Sequence, residues 1–432
     1  MNVELTIPFP FPIVVEDDNL NVDILTERYA FWDSPAIFQW FEARGYTLYK
    51  RMPTGEYDLM PNNYTVPRLP SEPFVQAEYP HPYHENYSAY SKDYIRCAQD
   101  TSGKVVFAQD SQCRHVAIKL VPNDTNEIRI LQFLRRQSPE TLKEHCLIPI
   151  LDILPIKGFS FAVMPRWGSS IYNPAPNTLR DVVGIIHSML KGLSFPHHHN
   201  IIHRDICLRN VLVNHFSNDH AGPVNPTRVK LRSAGNLSYA IFDFDVSVMV
   251  PPDVEKSEFR LPYKMSWCGS YNHPFDTAQG EFDYDPFAYD VGTMGREFCQ
   301  EYQHLSASLP LLAPLLDGMI TRNISRRFTA AQALQFLETE LGQLPDKHLE
   351  QEFYEATDVT EYDKYDRWRL LPSNLVQKWA VYKEPPLPAT TRFLRWLYSF
   401  ESLVHVIPFV RRAAFHVWRF PYRFSSAIRL RH

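Results

Sequence analysis

The stretch His203 to Asn210, HRDICLRN, sets a carboxylate (Asp205) and a carboxamide (Asn210) five residues apart, with Arg204 and Arg209 beside them. It follows an amphipathic helical pattern over 178–196 and precedes the β-branched run VLVN at 211–214. Its polar residues therefore fall in a loop between helix and strand. Upstream, from about residue 94, short β-rich runs dominate: KVVFAQ (104–109), HVAIKLV (115–121) and FSFAVM (159–164). A single helical pattern, Glu127 to Arg136, interrupts them. Past Pro174 the chain turns mostly helical, over 178–196, 288–301, 309–320 and 329–341, with strand-like runs VLVN, RVKLR (228–232) and LSYAIFDF (237–244) between the first two. A β-rich part followed by an α-rich part predicts an α+β fold in two lobes.

The flanks read differently. Within the first 90 residues one helix is predicted over 35–44, because Ser34 can cap it, Pro35 suits its first position and Gly45 its stop. The proline-rich run 60–84 reads as an extended strap. The expected domains are an N-terminal extension (1–93), a small lobe (94–168), a large lobe (169–345) and a C-terminal tail (346–432).

The net charge of -5 argues against nucleic acid as a partner of the whole chain. The six cysteines are scattered with no C-x-x-C pair, so a zinc ribbon is excluded and reduced thiols fit best. The N-terminus lacks a basic region and is broken by prolines, unlike a signal peptide, and no run of about 18 apolar residues predicts a membrane span. A cytoplasmic protein is expected.

In order and spacing, the motifs between about 94 and 341 resemble the protein-kinase signature set. The resemblance implies ATP and Mg²⁺ as cofactors and a protein hydroxyl as substrate. Asp205 then corresponds to the residue that accepts or orients the substrate hydroxyl proton, and Asn210 to a magnesium ligand. Lys119 in HVAIKL corresponds to the lysine on the α- and β-phosphates, and Glu127, eight residues on, to its partner. Asp243 in AIFDFDVS corresponds to the metal-binding Asp of D-F-G. Asp245 replaces its glycine, and either assists the metal or caps the turn. Gly103 and Val105 fit the end of the glycine-rich loop, whereas its two earlier glycine positions fall on Ala98 and Asp100. Met164, closing FSFAVM, is placed on the nucleotide side.

Further on, Asp290 in YDPFAYDVGTMGREF (284–298) corresponds to the residue that holds the catalytic-loop backbone, and Gly295 to a small helix position. Arg327 in SRRFTAAQAL (325–334) normally pairs with the glutamate of A-P-E. Here YNHPF (271–275) stands in that place, and Asp276 is the available substitute. Cys207 occupies the usual serine/threonine-kinase lysine position, while Arg209 sits where many tyrosine kinases carry arginine, so residue specificity stays open. Arg204 offers a partner for a phosphate on Ser257, Ser266 or Ser270. The degenerate loop and divergent activation segment make the set similar to fungal-type protein-kinase-like proteins. A pseudokinase scaffold is the alternative, and a small-molecule kinase of the aminoglycoside or choline type the third.

The tail carries eight arginines between 392 and 432 against one acid, Glu401, with aromatics interleaved. It reads as an interfacial segment for an anionic membrane surface, or as a tail that packs on the lobes or binds a partner.

Overall fold

A computed structural model describes residues 22–51, 65–66, 74–75, 78–85, 102–169, 171–217, 225–269, 272–278, 280–353 and 361–414. Ala98, Asp100, Ser270 and the tail beyond 414 lie outside the described residues. The chain divides into two compact units, one of Met1–Asn177, Val183–Gly192 and Leu208–Asp245, the other of Thr178–Val182, Leu193–Cys207 and Val246–His432.

The first unit is built on an antiparallel sheet of five strands, β1 (Thr47–Leu48), β2 (Val105–Gln109), β3 (His115–Pro122), β4 (Asp152–Ile156) and β5 (Phe159–Pro165), in the order β1-β2-β3-β5-β4. Successive strand residues point to opposite faces, so each run splits in two. Val106, Ala108, Val116, Ile118, Leu120, Phe161 and Val163 form a buried face. Two helices cover it, α1 (Val22–Trp32) and α2 (Pro35–Glu42), through Phe31, Trp32, Ile37, Trp40 and Phe41. Phe161 is fully buried, with the Phe41, Trp40 and Trp32 rings 4.9, 5.4 and 5.6 Å from its own. Residues 22–48 thus supply helices and an edge strand to this sheet rather than standing apart from it.

Local chemistry explains α2. The Ser34 side chain accepts the Ile37 amide, Pro35 occupies the first position, and Gly45 adopts φ +84 beyond the end. Helix α3 (Asn126–Arg135) starts on the Thr125 cap and buries Glu127, Ile128, Leu131 and Leu134. A further short helix, Pro139–Glu144, follows it, so the sheet has more than the single helix expected.

RVKLR is a correction: it belongs to the helix Pro226–Ser233 and not to a strand. The Asn225 side chain accepts the Arg228 amide and Pro226 presets the first turn. Arg228 and Leu231, three residues apart, are then buried on one face. The neighbouring runs do form strands, Val211–Val213 pairing antiparallel with Tyr239–Ile241.

In the second unit, the helices Pro286–Tyr302, Leu312–Ile320 and Ala330–Leu341 pack in sequence order. A residue larger than Gly295 is excluded, because a Cβ there would come 2.7 Å from Ile320 Cγ2 and 2.8 Å from Met319 Cβ. Part of the tail is fastened here through buried Asp317. Its Oδ1 accepts Arg367 Nη2 at 2.7 Å, and its Oδ2 accepts Trp368 Nε1 at 2.7 Å and the Glu384 amide at 3.0 Å. No helix among the described residues is long and apolar enough to cross a membrane.

Candidate functional site

The face of the sheet opposite the helix-covered one lines a cleft of about 530 Å³ in the first unit. Val105 and Phe107 of β2, Ala117 and Lys119 of β3 and Met164 of β5 contribute to it by strict alternation. Register reinforces this, pairing Val105 with Lys119 and Ala117 with Met164. Ile148, Trp167, Leu212 and Phe242 add apolar wall, while Lys104, Asp243 and Asp245 gather charge. The cleft is therefore apolar with a polar, charged portion, and its volume suits a small ligand.

Lys119 holds two carboxylates. Its Nζ lies 2.6 Å from Glu127 Oε1 and 2.7 Å from Asp243 Oδ1. A lysine in the interior is costly unless paired. Burial alone pulls its pKa down, but Asp243 and Glu127 outweigh this and hold it well above the ordinary lysine value. Lys119 is a cation throughout the physiological range. Glu127 reaches it because the Thr125 cap places it in the first turn of α3, where a carboxylate also complements the helix dipole.

Asp243 has φ +69, a left-handed conformation that costs energy for any residue with a Cβ. It follows directly from the Tyr239–Ile241 strand. The Phe242 amide donates to the Asn210 carbonyl at 3.2 Å, continuing the ladder in which Val211 opposes Ile241. Asn210 and Asp243 are thus brought to the same end of this two-stranded ladder. Asp245 is largely exposed, lines the same cleft and pairs with Lys104 at 3.2 Å.

Gly103 has another occupation. Its carbonyl accepts Trp32 Nε1 at 2.9 Å, and a Cβ on it would lie 3.0 Å from Arg28 Cβ. With φ +66 it permits the chain to turn tightly under α1, while Ser102, Lys104 and Val105 line the cleft.

In the second unit, HRDIC follows the strand Ile201–Ile202, which pairs with Val248–Met249. Asp290 holds the loop backbone, its Oδ2 accepting the His203 amide at 2.7 Å and its Oδ1 the Arg204 amide at 2.8 Å. The Ser247 hydroxyl donates to the His203 carbonyl at 2.8 Å. The Asp205 amide lies 3.3 Å from His203 Nδ1. Arg204, at φ +67, donates through Nη1 to the Val246 carbonyl and through Nη2 to the Met265 carbonyl, both at 2.7 Å. Arg209, in the first unit, is exposed. Ser266 is buried and donates to the Tyr263 carbonyl at 2.6 Å, which removes it as an accessible phosphorylation site. Arg327 takes Asp276 bidentately, at 2.6 and 2.7 Å, the substitute available in the sequence.

Sequence patterns do not single out Trp167 and Arg166. Trp167 Nε1 donates to the Pro80 carbonyl at 2.8 Å, and Arg166 lies between the Phe216 and Phe107 rings at 4.3 and 4.7 Å. Phe107 and Ala117 were within reach of period-two reading; Ile148 and Leu212 were not, since only tertiary contact brings their segments to the sheet.

Next to Arg166, His115 is buried and accepts the Tyr49 hydroxyl at Nδ1, while Arg166 Nη1 donates to that hydroxyl at 2.8 Å. Burial first, then the charges of His84 and Arg166, pushes its pKa down from 6.5 to about 2. The folded state keeps His115 neutral, whereas the unfolded chain protonates it near 6.5. Stability from this group is therefore full above pH 6.5 and declines as pH falls toward 2. Between pH 6.5 and 4.5 the loss should approach about 1.4 kcal/mol per pH unit. Denaturant melts of the protein and of His115→Gln across that range check it; equal pH slopes would refute the assignment.

Residues 98–250, roughly a third of the chain, match the family model for protein tyrosine and serine/threonine kinase. The matched stretch contains Lys119, Glu127, Asp205, Asn210 and Asp243. It is similar to a protein-kinase domain, which supports a place in the protein-kinase-like superfamily and a kinase-type transferase in general. No curated protein matches the chain.

Proposed function

We propose that the chain is an active protein kinase that transfers phosphate from ATP, with Mg²⁺, to a protein hydroxyl, with residues 94–168 as its small lobe and 169–345 as its large lobe. The carrying observation is Lys119, a buried cation held by Glu127 and Asp243 on the charged side of a cleft that also has apolar walls. The donor set suits the cofactors. A base fits apolar walls, phosphates fit a fixed cation, and Mg²⁺ takes only one or two protein oxygens beside phosphate and water. Asn210 and Asp243 would hold the metal, and bound ATP would supply the transferable phosphoryl group.

Lys119 orients the phosphates and neutralises their charge, with Glu127 fixing its position. Val105, Met164 and the other apolar lining residues exclude water from the base. Asp205 accepts the proton of the substrate hydroxyl as its oxygen attacks. Arg209 contacts the transferred group, in place of the lysine that Cys207 replaces. Membership of the fungal-type subgroup is part of the same proposal, as is a cytoplasmic location.

Thermal unfolding with and without ATP and Mg²⁺ tests this reading. At ligand about 100-fold above its dissociation constant, stability should rise by about 2.7 kcal/mol. The rise should vanish in Lys119→Met. A wild-type protein whose melting ignores nucleotide would overturn the proposal.

A further inference from the structure

Ten large apolar side chains are exposed among the described residues, and six of them lie between 393 and 410. Phe393, Trp396 and Phe400 recur at i, i+3 and i+7 along the Ala389–Tyr398 helix and just past its end, so they share one side. Their rings form a continuous ridge, with centroids 5.8 Å apart for the first pair and 5.1 Å for the second. Val406, Phe409 and Val410, all exposed, follow at i, i+3 and i+4 on the helical stretch 406–414. A ridge of this size in water is unfavourable unless something covers it.

The helix is oriented rather than loose. Arg395, between Phe393 and Trp396, turns the other way. It pairs with Asp363 at 3.1 Å and stands 3.9 Å over the Phe275 ring. One side of the helix is thereby fixed to the second unit and the aromatic side is left outward. The exposed residues Arg392 and Arg412 flank the ridge, and Arg411 beside them pairs with Glu281 at 2.9 Å. From Ala389 to the end of the sequence there are eight arginines, no lysine and one acid, Glu401.

We propose that this ridge is an interfacial membrane anchor, which lays Phe393, Trp396, Phe400, Val406 and Phe409 into the headgroup region of an anionic bilayer. Charge complementarity selects the occupant. Aromatic residues flanked by arginines match anionic headgroups above an apolar boundary. A second copy would set the exposed Arg392 and Arg412 against their own equivalents. The anchor lies on the surface, since no described helix is long enough to span.

Flotation of the full chain tests this, using vesicles of phosphatidylcholine alone and vesicles with about 30% phosphatidylserine. The protein should float with the serine-lipid vesicles and bind at least about tenfold more weakly to the neutral ones. Phe393→Ser/Trp396→Ser/Phe400→Ser should lose at least about tenfold in binding, and 0.5 M salt should weaken it further by roughly the same factor. Should that variant misfold, Arg392→Glu/Arg412→Glu, which changes only exposed residues, tests the anchor on its own and should lose binding to the anionic vesicles. Absence of binding to anionic vesicles, or unchanged binding in the variants, overturns the proposal. So does light scattering that shows a lipid-free dimer which the aromatic substitutions dissolve.

Discussion

Asp205→Ala is expected to lower the rate of labelled phosphate transfer from ATP to protein by about 10²–10⁴-fold, the range for losing a positioned general base. The fold should barely notice. The loop bearing Asp205 is held from elsewhere, by Asp290 on the His203 and Arg204 amides and by Ser247 on the His203 carbonyl. Asp205 itself is only partly buried. Its removal should therefore change unfolding stability by less than about 1 kcal/mol. Nucleotide-induced stabilisation should survive as well, because Lys119, Glu127 and Asp243 are untouched. Loss of transfer with retained fold and nucleotide binding is the signature of a residue acting on the hydroxyl. A variant that transfers phosphate at the wild-type rate would sink the assignment. A wild-type protein that binds ATP but transfers nothing would instead leave a nucleotide-binding scaffold.

The second large effect is on stability. Arg327 is almost fully buried and its fork meets Asp276 at 2.6 and 2.7 Å, while the same guanidinium donates to the Thr321 carbonyl at 2.8 Å and the Ala288 carbonyl at 3.0 Å. Arg327→Ala strands the Asp276 carboxylate and leaves those carbonyls without this donor. Breaking a buried pair from one side costs about 3–5 kcal/mol. In a unit of this size that corresponds to a fall in melting temperature of roughly 10 °C. Arg327→Lys should recover only part of it, since an ammonium keeps the charge but not the planar fork. Chemical denaturation of the three proteins checks this. An alanine variant within about 1 kcal/mol of the parent would show that the ion pair contributes little here.

Much of the candidate site was legible before any fold was known. HRDICLRN carries its polar residues in a loop between helix and strand, HVAIKL sets a lysine in a β-branched strand ahead of Glu127 at a helix start, and AIFDFDVS ends an apolar run on an aspartate. The spacing from Lys119 to Glu127 is short enough for capping at Thr125 and one helical turn to bring the two together. The pairing of Arg327 with Asp276 was legible too, although 51 residues separate them. The degenerate loop could be read only as far as Gly103. A glycine at φ +66 serves the packing of Arg28 and Trp32 as well as any loop.

Elsewhere local preference pointed the wrong way. RVKLR alternates like a strand, yet Asn225 and Pro226 just before it start a helix, and burial of Arg228 and Leu231 confirms the choice. The N-terminal residues gave one helix by their cap and stop signals, but not their destination. Covering Val106, Val116, Ile118 and Phe161 removes a large apolar face from water, and nothing within a few residues of Trp32 or Trp40 records that the face exists. Asp317 is a similar case, an acid in an apolar helix whose partners Arg367, Trp368 and Glu384 arrive 50 to 67 residues later.

The sequence by itself determined the α+β class, the order of most strands and helices, and which charged residues are proposed for phosphate chemistry. Periodicity, caps and motif spacing are written within one or two turns of chain. Tertiary structure alone decided which sheet face lines the cleft, which carboxylates Lys119 holds at once, where the N-terminal helices go, and that Phe393, Trp396 and Phe400 are left facing outward. Those outcomes depend on burying apolar surface and pairing buried charge between segments far apart in the chain, and neither quantity exists until the segments meet.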